Sequence, residues 1–210
     1  QELPNFSEVI DFIVSQLKLN NINNKKMSFK PILLLGDAGL GKTYVATKLA
    51  EIFKTGFEFI DFGSVSASFV IKGASKQWRD AEVGKVFKCM LNSPTINPFI
   101  LYDEIDKNSF GKSYSPETVL YQLFEPMNAK TFEDEFLELQ FDASTIFNIC
   151  TANELNPIAT PLQSRMNIFE IKKLNKEQTR HLVKKMYAKT IVDYNIFNDS
   201  LRDTIIESME

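Results

Sequence analysis

The chain has 210 residues, 44% hydrophobic and 24% charged, with 24 Lys and Arg against 27 Asp and Glu for a net charge of −3. These values exclude a disordered or collagen-like chain, and the acidic balance excludes a nucleic-acid binder that works by bulk positive charge. The length predicts one full domain and part of another, and the two cysteines, Cys89 and Cys150, give neither a disulfide framework nor a zinc-ligand spacing, which fits a reducing, cytoplasmic setting.

The N-terminal Gln1-Glu2 offers neither an initiator methionine nor a positive signal region, so the chain reads as a piece of something longer. No apolar run approaches the ~18 residues of a membrane span, and no membrane partner is expected. Phe6, Val9, Ile10, Ile13, Val14 and Leu17 recur at helical spacing and predict an amphipathic helix capped by Asn5 or Ser7. The Asn/Lys-rich residues 20–26 read as a loop. Residues 31–35 form an apolar run ending at glycine, a buried strand. A helix follows from Gly41, with Val45, Leu49, Ile52 and Phe53 on one face.

Further strands are predicted at 57–62, 98–102, 145–150 and 168–171, and helices at 79–91, 116–124 and 162–166. The Phe- and Glu-rich residues 132–140 predict a hairpin insertion, within a 128–142 segment of open role, before the strand that leads to Asn153. This alternation implies an α/β fold with a mostly parallel sheet flanked by helices. Beyond Lys173 only helices are predicted, at 176–189 and 199–209. The domain reading is residues 1–26 as N-terminal helix and linker, 27–173 as the α/β core, and 174–210 as the start of a small all-α lid.

The sharpest motif is Gly36-Asp37-Ala38-Gly39-Leu40-Gly41-Lys42-Thr43, which fits G-x-x-x-x-G-K-[ST]. Glycines let successive backbone N–H groups turn inward onto phosphate oxygens, and the helix start adds its positive dipole end. Lys42 is expected to reach the β- and γ-phosphates, and the Thr43 hydroxyl to ligate Mg²⁺. Asp103 and Glu104 follow a core strand; the first can hold the metal through water and the second can act as general base on the attacking water. Asp106 is expected to hydrogen-bond the loop that follows it.

Asn153 ends the next strand, where a neutral amide can bind the water or the γ-phosphate; a turn-forming role is the alternative. Arginine stands at four positions only, and Arg165 among them is the candidate finger for a neighbouring subunit's phosphate, against a plain surface ion pair. Cys89 and Cys150 lie in apolar surroundings and read as packing, and His181 as a solvated lid residue.

These residues resemble the AAA+ ATPases, and within them the ATPase module of Lon proteases. The likeness runs over residues 6–188. It rests on the phosphate loop, on Gly73 through Trp78 to Val83-Gly84-Lys85, on Asp103-Glu104-Ile105-Asp106-Lys107, and on residues 136–142 continuing to Thr151-Ala152-Asn153 and Ser164-Arg165-Met166. The resemblance implies a P-loop NTPase core in which the Asn153 strand lies between the Lys42 and Asp103 strands. It implies Walker A roles for Lys42 and Thr43, Walker B roles for Asp103 and Glu104, a sensor role for Asn153 and a trans finger role for Arg165. It also implies ATP and Mg²⁺ as cofactors and self-association into a ring, usually hexameric.

Lon rings grip substrate with an aromatic, an aliphatic and a glycine, and the matching positions here are Trp78, Arg79 and Asp80. The aromatic can wedge against an extended polypeptide, stack on a nucleic-acid base with help from Arg79, or serve as ordinary packing. No Ser/Lys protease domain falls within the sequence, so no protease activity is expected of it. The expected activity is hydrolysis of ATP to ADP and phosphate, driving remodelling of a protein substrate through a ring pore. A nucleic-acid translocase or loader, and a slow nucleotide-dependent assembly switch, are the alternatives; net charge favours protein.

Overall fold

The computed structural model describes residues 3–23, 27–64, 68–107 and 115–194, with 186–194 as backbone. The chain divides into two compact units, residues 11–171 and a second made of 1–10 with 172–210. The helix expected at 199–209 lies outside the described residues.

In the second unit, a short 3₁₀ turn at Pro4–Phe6 leads into helix α1 (Ser7–Ile22), whose first residues belong here. Asn175 starts the last described helix, lying just ahead of its first residue, Lys176. Its side chain accepts from the Gln178 amide at 2.8 Å while the Gln178 side chain accepts from the Asn175 amide at 2.9 Å. That reciprocal cap satisfies two amides that a helix end leaves unpaired.

The 11–171 unit is built in chain order from the remainder of α1, then β1 (Ile32–Leu35), α2 (Lys42–Phe53), β2 (Phe57–Asp61), α3 (Phe69–Lys72) and α4 (Lys85–Asn92). β3 (Phe99–Asp103), a 3₁₀ turn at Ile105–Lys107, α5 (Glu117–Leu123) and α6 (Pro126–Ala129) follow. The hairpin β4 (Phe132–Asp134) and β5 (Leu139–Phe141) precedes β6 (Phe147–Ala152), α7 (Thr160–Gln163) and β7 (Asn167–Glu170). The lid helix of the second unit is α8 (Lys176–Tyr194).

Among the described residues β1, β2, β3, β6 and β7 form one parallel sheet in the order β2-β3-β6-β1-β7. The strand leading to Asn153 therefore does lie between those leading to Lys42 and Asp103. Parallel strands need crossover helices on the sheet faces, so central strands are buried on both sides and read as unbroken apolar runs. β6 is buried along its whole length and β1 and β3 nearly so, whereas β2 and β7 at the edges are half covered. Phe147 anchors the N-terminal end of this core. Its ring stacks on Phe29 at 4.6 Å, lies 4.8 Å from Phe99 and meets Phe53 edge-on at 5.9 Å.

Four local expectations are corrected. α1 continues through residues 20–22, where the Asn/Lys-rich composition predicts a loop. Ile52 is 73% exposed. The buried face of α2 is set by Val45, Ala46, Leu49 and Ala50, and at about 100° per residue Ile52 lies about a quarter-turn from its centre. The helix expected from residue 79 begins at Lys85, because Gly84 is extended (φ −65°, ψ 150°) and its amide is committed to Asp134. The short helix expected to close over residues 162–166 ends at Gln163, and Pro161 occupies its first turn, where no amide partner is needed.

Candidate nucleotide site

In an open parallel sheet the loops leaving the C-terminal strand ends are the ones that meet a ligand. Here those loops leave β1, β3 and β6. The amide of Gly36 donates to Ala152 O at 3.1 Å, and a Cβ on Gly36 would stand 2.5 Å from Ile171 O, so the phosphate loop starts where no side chain fits. Gly41 caps α2 with φ 89° and no side-chain bond to the first turn, which leaves the helix-start amides to an external acceptor.

Lys42 is only 8% exposed and donates to three neutral oxygens: Gly36 O, Asp37 O at 3.0 Å and Asn153 Oδ1 at 3.0 Å. Burial lowers the pKa of its ammonium, and the nearby Asp103, Asp106, Asp37 and Glu104 oppose that shift. Thr43 Oγ1 donates to Asp103 Oδ1 at 3.3 Å. The structure thus brings together Lys42 and Thr43 from the start of α2, Asp103 and Glu104 from the end of β3, and Asn153 from the loop after β6.

Two further side chains organise the cluster. Thr151 Oγ1 donates to Asp103 Oδ1 at 2.5 Å and accepts the Glu104 amide at 3.0 Å. Glu104 sits in the left-handed region, with φ 55°, an unusual place for a residue with a side chain. Thr151 is a site residue that the sequence motifs do not mark; the available signal is the one hydroxyl in β6, a fully buried strand whose other polar side chain, Asn148, accepts from the Tyr102 hydroxyl at 3.1 Å. Asp106 Oδ2 accepts the Asn153 and Glu154 amides, each at 3.1 Å. It therefore holds the loop after the neighbouring strand, a correction to the expectation that it served its own.

Arg165 stands apart. Nη1 donates to Pro161 O at 2.6 Å, Nε lies 3.7 Å from Glu125 Oε2, and the guanidinium covers the Tyr121 ring at 5.6 Å. Burial and a 2.7 Å bond to Glu117 push the Tyr121 phenol up to about 12. Arg165 borders a cleft of about 470 Å³ whose wall includes Lys30, Pro31 and Ile146. Those residues precede β1 and β6, so the cleft opens at the end of the sheet opposite the phosphate loop. Trp78 is 58% exposed and its ring lies 6.4 Å from Phe69, with Arg79 exposed beside it. Cys89 and Cys150 are buried free thiols; burial pushes Cys89 up to about 12 and Cys150 well above its ordinary value, so neither is a ready thiolate.

The donor set fits a triphosphate with a hard divalent cation: uncapped helix-start amides, a buried ammonium held by neutral oxygens, and a hydroxyl beside a carboxylate. A strand–loop–helix of this kind, with a carboxylate two strands along the sheet, defines a P-loop nucleotide-binding domain.

Residues 32–174 match the family model described as "ATPase family associated with various cellular activities (AAA)". The chain belongs to that family, and its fold and sequence make it a nucleotide-dependent ATPase domain of AAA+ type. It is 31% identical over 166 residues to the Lon protease of Fusobacterium nucleatum, covering 79% of this chain and 22% of that protein. It is also 31% identical over 196 residues to the Lon protease of Borrelia duttonii, covering 93% and 24%. A mitochondrial Lon protease homolog of Phaeodactylum tricornutum is 36% identical over 142 residues, covering 68% and 16%. The chain thus spans a quarter or less of the length of these curated relatives. In fold it is similar to the Thermotoga maritima RuvB Holliday junction branch migration motor, with a TM-score of 0.57 at 16% identity over 89% of this chain and 51% of that one. Among the described residues no helix is long and apolar enough to cross a membrane.

Proposed function

We propose that the chain hydrolyses ATP to ADP and phosphate as one subunit of a ring, and that the energy released remodels a polypeptide. The observation that carries the reading is the joint placement of Asp103, Glu104 and Thr151 beside Lys42 and Thr43. Thr43 and Asp103 would hold Mg²⁺, which neutralises charge on the β- and γ-phosphates when bound. The amides of residues 37–43 and the Lys42 ammonium orient the same phosphates and stabilise charge as it shifts toward the leaving ADP. Lys42 leaves Asn153 to do so, which frees Asn153 Oδ1 to accept from the nucleophilic water, while Nδ2 can donate to the γ-phosphate. The Glu104 carboxylate takes a proton from that water as its oxygen attacks phosphorus.

Arg165 faces away from its own phosphate loop, and this favours action on a neighbour's γ-phosphate. Its hold on Glu125 and Tyr121 orients the guanidinium before a neighbour arrives. The polypeptide reading draws on the Lon-like sequence and on the exposed Trp78.

Glu104→Gln tests the chemistry. It removes the base and leaves the phosphate contacts, so ATP binding is retained while turnover falls about 10²- to 10⁴-fold. Steady-state hydrolysis at the rate of the unaltered chain would remove Glu104 from the mechanism. Stimulation of turnover by DNA rather than by an unfolded polypeptide would replace the proposed substrate.

A further inference from the structure

We infer that Asp134 is a positioning residue, a buried clasp that locks the Trp78 loop to the β4–β5 hairpin so that the two move as one body. The function of that body, contact with a polypeptide, rests on the reading above; the clasp itself does not.

The loop joining α3 to α4, residues 73–84, closes on itself. A Cβ on Gly84 would stand 2.5 Å from both Gly73 N and Ile71 O, and Ala74 N donates to Glu82 O at 3.1 Å. At the tip, the amide of Trp78 donates to Ser75 O at 3.0 Å. The loop is therefore a stalk with a narrow neck and an aromatic head.

Asp134, the last residue of β4, sits in the notch of that neck at 1% exposure. Its Oδ2 accepts the Gly84 amide at 2.8 Å. Its Oδ1 accepts the amides of Phe136 and Leu137 in the hairpin turn, at 3.1 and 2.9 Å. A Cβ on Gly73 would stand 2.9 Å from the same carboxylate. One oxygen thus holds the loop and the other holds the hairpin. Hydrogen bonds to a charged acceptor in a dry site are the strong ones.

Outer contacts align the same two pieces. Glu135 N donates to Lys72 O at 2.9 Å, Lys72 and Glu135 pair at 3.1 Å, and Lys76 lies 5.9 Å from the Phe136 ring. A loop whose tip is exposed and whose base is clamped transmits force instead of swinging freely. Residues 142–146 are all that separate the hairpin from β6, the strand that carries Thr151 and leads to Asn153.

Only a carboxylate accepts on both sides. An asparagine in its place presents one oxygen and one NH₂, so one arm sets donor against donor. Trp78 is the only tryptophan, so its emission reports the loop alone. In Asp134→Asn the acrylamide quenching constant of Trp78 should rise about twofold and its anisotropy should fall, with a cooperative thermal transition retained. Stimulation of ATP turnover by a reduced, carboxymethylated protein should drop toward none. The control Glu135→Gln, on the exposed ion pair, should leave quenching as it was.

Unchanged quenching in the Asp134 variant, or an equal rise in the Glu135 variant, would overturn the clasp. Should Asp134→Asn fail to fold, hydrogen exchange on the unaltered chain decides: the Gly84 amide must exchange at least about tenfold more slowly than the amides of residues 76–80, and equal rates overturn the proposal. If the carboxymethylated protein does not stimulate even the unaltered chain, the polypeptide reading falls, while quenching still judges the clasp.

Discussion

Thr151 shows how much a single hydroxyl can organise. It bonds both Asp103 and Glu104, donating to the carboxylate of the first and accepting from the backbone amide of the second. Without it the Glu104 amide loses its acceptor at a residue already held in the left-handed region. Leaving a buried donor unpaired costs about 1–3 kcal/mol, so Thr151→Val, which keeps the shape, should lower ATP turnover about tenfold or more with nucleotide affinity little changed. Thr151→Ser restores the hydroxyl and should restore most of the rate. A valine variant with the turnover of the unaltered chain would reduce Thr151 to packing. The role was not legible beforehand because it depends on register: Tyr102 pairs with Cys150 across β3 and β6, which sets Asp103 beside Thr151 although 48 residues separate them.

Register and packing act at the scale of elements. β1 and β3 announce themselves as apolar runs because both of their faces are buried, whereas β6, equally buried, carries Asn148 and Thr151; the glycine pattern after β1 marks the loop. Those features were readable from residue types. Strand order was not; it came only with the family resemblance, because parallel strands give no local signal of their neighbours. The start of α4 was misplaced for a related reason: the amide that ends the preceding extended segment is held by Asp134, fifty residues further along the chain.

The aromatic cluster on Phe147 carries a stability prediction. Phe147→Ala removes a ring packed against Phe29, Phe53 and Phe99, a change that costs about 3–5 kcal/mol. Folded domains are stable by only about 5–15 kcal/mol, so the thermal midpoint should fall by roughly 6–20 °C. Phe59→Ala, at a half-exposed edge position, should move it far less. Equal shifts in the two variants would place the weight of the core elsewhere.

At the scale of the whole molecule, the phosphate loop and Arg165 lie at opposite ends of one sheet, the arrangement that the proposed action of Arg165 on a neighbour's phosphate requires. The Trp78 loop, bonded to the β4–β5 hairpin through Asp134, adds an exposed aromatic surface. All of this presumes a chain that holds a magnesium-bound triphosphate through the amides of residues 37–43 and Lys42. The direct measurement is calorimetric titration of a non-hydrolysable ATP analogue, with magnesium, into the folded chain and into its Lys42→Ala variant. A saturable heat with one nucleotide per chain, lost in the variant, is the predicted result. No heat from the folded chain, or the same heat from both, would contradict the account.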